Sequence, residues 1–197
     1  MKSLAISLAL IPLTLAPFSS VAQPFERLPS VPGIDISQVE YVRAETVPDR
    51  QIEQVLAKMG YEAPIGANYP SVYLYNKIDI NGDRQPEAIV IVRSFAVCGT
   101  GGCPFFILQG NGSAYARAIY ETLSSSQYII ITPQKTNSWN NLITPVWDRN
   151  SQETRYLILK FNGREYTVSG EVQKNTTLTG RVVVFSDNEH PLPSNGK

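Results

Sequence analysis

Apolar and polar residues follow three different rhythms along this chain. Leu4 to Ala16 is an apolar run broken only by Ser7, Pro12 and Thr14. Ile52, Val55, Leu56 and Met59 then recur at i, i+3, i+4, i+7, the spacing that lines one face of an α-helix. Thr46 suits the cap of that helix, Pro48 its first turn and Asp49 its positive end, and Gly60 stops it. After Pro70 the pattern becomes short apolar or alternating runs between turns, which predicts strands over 71–78, 88–92, 105–109, 115–121, 128–132, 142–148 and 155–161, with 181–185 a further strand. Asn162-Gly163 is the clearest hairpin signal, because both residues tolerate positive φ.

Short connections between sequential strands predict antiparallel pairing. The expected fold class is therefore α+β: a mainly antiparallel meander of six to eight strands, with one N-terminal amphipathic helix packed on it. Pro133 and Pro145 place the strands that carry them at sheet edges or near strand ends. Tyr61, Tyr69, Tyr73 and Tyr75 cluster near the first strand, where rings can cover a sheet face while the hydroxyls stay in water.

The apolar run after Met1-Lys2 has the form of an export signal, with Ser20-Val21-Ala22 as the cleavage site. It is too short for the ~20 residues of a spanning helix. The expected organisation is a signal peptide over 1–22, a proline-rich extended lead-in over 23–45, a single domain over 46–185 and a flexible polar tail over 186–197. Such a protein is periplasmic or secreted after cleavage near Ala22, with no membrane insertion afterwards. The chain has 197 residues, with 17 basic and 17 acidic side chains and no basic block, so long-range attraction to nucleic acid or anionic lipid is not expected. Asn111 and Asn175 begin Asn-x-Ser/Thr triplets, relevant only in a eukaryotic secretory pathway.

Two short motifs carry the candidate chemistry. Asp79, Asn81, Asp83 and Glu87, with the carbonyl of Gln85, stand at the alternate spacing by which a tight loop aims oxygens at a hard cation. The helix-flanked calcium loop fits poorly, since Arg84 occupies the sharp-turn glycine position and Val90 the final acidic one. The strand-flanked turn of FG-GAP type is similar to it. Two readings stand: a Ca²⁺ site, or a metal-free turn in which Asp and Asn bond their own backbone. Cys98 and Cys103 enclose Gly99-Thr100-Gly101-Gly102; export makes a disulfide the default, worth ~2 kcal/mol for so small a loop. The loop glycines also allow an anion-cradling nest.

Material for catalysis is scarce. His190 is the one histidine and stands in the expected tail, so Ser–His and Cys–His nucleophile pairs are not expected. No Gly-x-Ser-x-Gly elbow occurs. A hydrolase would have to rest on paired carboxylates such as Asp79 and Asp83, in a turn that does not suggest the burial needed to raise a pKa.

The order of these motifs resembles a family of small, uncharacterised exported bacterial proteins. Their pattern is an Asp-x-Asn/Asp-Gly-Asp-Gly-x-Pro-Glu turn, an apolar strand, a Cys-Gly-Ser/Thr-Gly-Gly-Cys loop, an Asn-Gly-Trp segment and a late Phe-Asp/Asn-Gly-x-x-Tyr. The counterparts here are Asp79 to Glu87, Cys98 to Cys103, Asn137-Ser138-Trp139 and Phe161 to Tyr166. Arg84 and Ser138 stand where that pattern has glycine. The resemblance implies export and a shared fold, and no substrate. The expected function is that of a non-enzymatic, exported module without a cofactor, binding an envelope protein or glycan. A Ca²⁺-stabilised module and a hydrolase are the alternatives.

Overall fold

A computed structural model describes residues 28–63, 70–124, 126–185 and 188–194. The expected signal peptide over 1–22, Tyr69 and the end of the tail at 195–197 lie outside these residues. The elements are β1 (Ile34–Arg43), α1 (Arg50–Lys58), β2 (Val72–Ile78), β3 (Glu87–Arg93), β4 (Cys103–Gly110) and β5 (Tyr115–Ser124). They continue as β6 (Tyr128–Thr136), β7 (Trp139–Asp148), β8 (Glu153–Phe161), β9 (Tyr166–Glu171), β10 (Thr176–Val184) and β11 (His190–Pro191).

The strands form two sheets, one of six in the order β1-β10-β6-β7-β8-β9 and one of five in the order β11-β2-β3-β4-β5. This overturns the expected meander of six to eight strands with a helix on it. The described residues form a mostly β, two-sheet structure of eleven strands, and the single helix among them has nine residues. The physical reason is visible in the alternation of side chains. On β2, β3 and β4 both faces are apolar: Leu74, Ile89, Ile91 and Ile107 point to one buried cluster, and Tyr73, Val90, Val92 and Phe106 to another. A sheet buried on both faces needs a second layer on each side. The helix supplies one through Ile52 and Leu56, and the six-stranded sheet supplies the other through Ile129, Ile131, Leu142, Leu159, Phe161 and Val183.

β1 lies inside the segment expected to be an extended lead-in. It pairs parallel with β10, bringing Ile34 beside Thr176 and Arg43 beside Val184. This parallel pair joins strands from opposite ends of the chain. A register shift between Asp35 and Gln38 moves the half-buried residues from Ile34 and Ile36 to Val39 and Tyr41, which breaks the period of two. Gly180 on β10 has φ +133, and a Cβ there would collide with the Ile131 carbonyl of β6.

Other local expectations shift in the same way. The helix is capped by Asp49 rather than Thr46; Asp49 Oδ1 accepts from the N–H groups of Gln51 (2.8 Å) and Ile52 (3.3 Å). Pro133 and Pro145 lie on interior strands, where Pro133 falls in a β6–β7 register irregularity and Pro145 extends past the β6 pairing. Tyr73 and Tyr75 do not keep wet hydroxyls. Tyr73 donates to Glu53 Oε1 (3.0 Å), and Tyr75 donates to the Val47 carbonyl (2.5 Å).

The expected tail contributes structure too. His190 pairs opposite Tyr73 in β11 and is buried, with its ring 5.2 Å from that of Tyr73 and 5.5 Å from that of Tyr75. Its Nε2–H donates to the Glu45 carbonyl at 2.9 Å. The tail therefore ties the β1–α1 connection to the five-stranded sheet.

Candidate functional site

The acidic turn joins β2 to β3, whose strands pair from Ile78 opposite Glu87 to Val72 opposite Arg93. Its side chains hold its own backbone. Asp79 Oδ1 accepts from Gly82 N (2.6 Å) and Asn81 N (3.2 Å), and its Oδ2 accepts from Arg84 N (2.9 Å). Asn81 Oδ1 accepts from Asp83 N (2.7 Å), and Asp83 Oδ1 accepts from Gln85 N (2.7 Å). Burial opposes the Asp79 charge, but the N–H groups of Gly82, Arg84 and Asn81 outweigh it and lower its pKa. Arg84 adopts φ 68, so the chain makes the left-handed bend without the glycine that usually supplies it.

Glu87 closes the turn from the sheet side and is fully buried. Its Oε2 accepts from Ile80 N at 3.1 Å, and its Oε1 lies 3.4 Å from Asn81 Nδ2, which also donates to Asp83 Oδ2 at 2.9 Å. Burial pushes the Glu87 carboxyl up to about 7, against the Ile80 N–H that lowers it and with the Asp83 and Asp79 charges adding to the rise. The donor types suit a hard cation. In the geometry present, the Asn81 amide bridges two carboxylates as a cation would, and Lys135 Nζ reaches the Asn81 carbonyl at 3.3 Å. Among the described residues, no group of three or more metal-ligating side chains is assembled.

The turn rests on an aromatic cluster. Trp139 stacks on Phe161 (4.4 Å), and Tyr166 meets both rings edge-on at 6.2 and 5.5 Å. The Tyr166 hydroxyl donates to the Asn140 carbonyl (2.8 Å), and Asn140 N donates to the Ile80 carbonyl (2.8 Å). Asn137 and Ser138 both take positive φ to turn β6 into β7, so Ser138 adopts the conformation a glycine would favour.

Cys98 and Cys103 are bonded, with S–S 2.07 Å. Within their loop Gly99 and Gly102 exchange both backbone hydrogen bonds (2.9 and 3.0 Å). Those two N–H groups are thus occupied, which removes them from the expected anion nest.

A wide concavity lies elsewhere, and single-residue reasoning did not find it. A cleft of about 790 Å³ lies between the end of β5 and the facing parts of β7, β8 and β9, with Thr100 and Gly101 of the cysteine loop at its rim. Thr144, Val146, Leu157 and Val168 continue the inner face of the six-stranded sheet beyond Leu142, Leu159 and Tyr166, which are covered. Across from them stand Tyr120, Thr122 and Ser124 of β5, paired with the core-facing side of β4. Val168 (59%) is exposed on this face and Leu123 (55%) and Trp147 (53%) at its margins, three of the five exposed large apolar side chains among the described residues. Arg149 is the one charged lining residue, and its Nη2 donates to the Thr100 carbonyl at 2.5 Å. Trp147 in the run Val146-Trp147-Asp148 was the available sequence signal, but its place at the margin of the same cleft as Leu123 and Val168 comes only from the sheet packing.

No family model, curated protein or solved structure matches the chain. No helix among the described residues is long and apolar enough to cross a membrane.

Proposed function

We propose that this is an exported, non-catalytic binding module, periplasmic or secreted, that seats an envelope protein or glycan in the cleft between β5 and β7–β9. The observation that carries this reading is a concavity lined by Tyr120, Leu157 and the exposed Val168 beside Arg149, with Leu123 and Trp147 exposed at its margins and no carboxylate among its described lining side chains. Clefts of ~300–1,000 Å³ lined by apolar groups with a few polar ones are the usual form of a ligand site. The Cys98–Cys103 bond fits an oxidising compartment. The non-catalytic part is supported by His190, which is buried between tyrosines with its Nε2 committed to a backbone carbonyl. The test places a photo-crosslinker at Trp147, and separately at exposed Val47 as a control, in the protein expressed in its own envelope. One adduct formed from position 147 and missing from position 47 supports the cleft; identical patterns from both positions, or none, remove it.

A Ca²⁺-stabilised module is the second reading, favoured by the Asn81 amide bridging the carboxylates of Asp83 and the buried Glu87 in one turn. Asp79, Asn81, Asp83, Glu87 and the Gln85 carbonyl would hold the ion, which would neutralise their mutual repulsion. A melting temperature that rises in millimolar Ca²⁺ and falls back with chelator supports it. An unchanged melting temperature rejects it.

A further inference from the structure

We infer that the cleft takes an extended peptide segment of a partner protein, added as a sixth strand along the free edge of β5, with an acidic residue of that segment meeting Arg149. The inference rests on the cleft being the binding site, and it names the ligand class for that site.

Three observations lead to it. β5 ends its sheet, so the backbone groups on its outer edge have no strand partner among the described residues. An edge of ten residues left open is a template for pairing, which proteins commonly blunt by charge, proline or a covering segment. Within its last five residues, Tyr120 to Ser124, the one charge is Glu121, on the face away from the cleft, and there is no proline.

The facing sheet is wider than its cover. Leu157 and Val168 continue the row of Leu159 and Tyr166, but the smaller sheet stops at β5 and leaves Val168 exposed. A strand laid beside β5 would pass over this row. Its inward side chains, two residues apart, would meet Val146, Leu157 and Val168, as the pleat requires. Main-chain hydrogen bonds would then supply affinity and the alternate pockets would supply sequence preference.

Charge complementarity sets the chemistry of the partner. Arg149 reaches one backbone carbonyl and has no carboxylate partner among the described residues. A guanidinium carries five N–H donors, so a carboxylate can be received while the Thr100 contact is kept. The occupant is therefore a segment with apolar residues at alternate positions and one Asp, Glu or terminal carboxylate. A glycan has no use for an open strand edge, which is why the peptide is preferred.

The test pans a random heptapeptide display library against the chain from residue 23 to 197, and in parallel against Val168→Asp and Arg149→Glu. Val168 and Arg149 are both exposed, so both variants are expected to fold, which their circular dichroism checks. Enrichment on the wild type of alternating apolar peptides with one acidic residue is expected, with affinity falling roughly tenfold or more on Val168→Asp. Panning on Arg149→Glu should select Lys or Arg at the formerly acidic position. N-methylation of one alternate set of peptide amides should abolish binding and methylation of the other set should not, as strand pairing demands. No enrichment over Val168→Asp, or indifference to both methylation patterns, overturns the inference. If oligosaccharides alter the fluorescence of Trp147 and no peptide is enriched, strand addition fails while the cleft survives. If the crosslinker at position 147 also captures nothing, both fall.

Discussion

Glu87 is a fully buried carboxyl that shares its turn with Asp79 and Asp83, and its pKa of about 7 makes that turn sensitive to pH. In an unfolded chain the group titrates near 4.5. Because the folded value is the higher one, the fold binds the proton more tightly, so stability is greatest below about 4.5 and falls as pH rises toward 7. Above that the cost is complete, on the order of 3 kcal/mol. Glu87→Gln should remove this slope: its melting temperature should stay nearly level from pH 5 to 8 where that of the wild type declines. Equal declines in both proteins would show that Glu87 is not the titrating group. At this scale the sequence was legible in type and misleading in environment. Asp79, Asn81, Asp83 and Glu87 were visible as one oxygen-rich motif, but the burial of Glu87 is set by Ile80, Tyr166 and the strands behind it. Arg84 likewise looked like an obstacle to the bend, yet the Asp79 carboxylate accepts its N–H and holds it at φ 68.

The cysteine loop shows how an element can be read almost completely from neighbouring residues. Six consecutive residues, two of them cysteines and three glycines, can form little besides a bridged tight turn. Its contribution is that of a small loop: Cys98→Ala with Cys103→Ala should cost about 2 kcal/mol of unfolding free energy, read as a lower urea midpoint. A loss well above that would mean that the loop holds the cleft rim through Thr100 and Arg149, and not only itself. The strands of the 72–161 region were legible for the same reason, because their pairing partners follow within one turn. β1 was hidden. Its apolar positions change phase at the bulge near Ser37, and its partner β10 lies at the other end of the chain. The helix was found but its cap was misplaced, since Pro48 fits the residue before Asp49 as well as it fits a first turn.

Across the whole molecule, the ends of the chain close the structure. β1 and β10 extend the six-stranded sheet, and β11 lays His190 between Tyr73 and Tyr75 on the five-stranded one. His190→Ala removes two ring contacts and leaves the Glu45 carbonyl without its donor, so a loss of roughly 2 kcal/mol is expected. Equilibrium unfolding should show a lower midpoint at unchanged slope; a midpoint equal to that of the wild type would return the segment to a dispensable tail. The sequence by itself determined what depends on residues close together: the disulfide loop, an oxygen-rich turn between two strands, the helix face and the central strands. Only the tertiary structure decided that there are two sheets, that the lead-in and tail belong to them, and that Leu123, Trp147 and Val168 border one cleft. Those outcomes rest on packing between segments far apart in the chain, where a period of two shows that a face is buried but not against which partner.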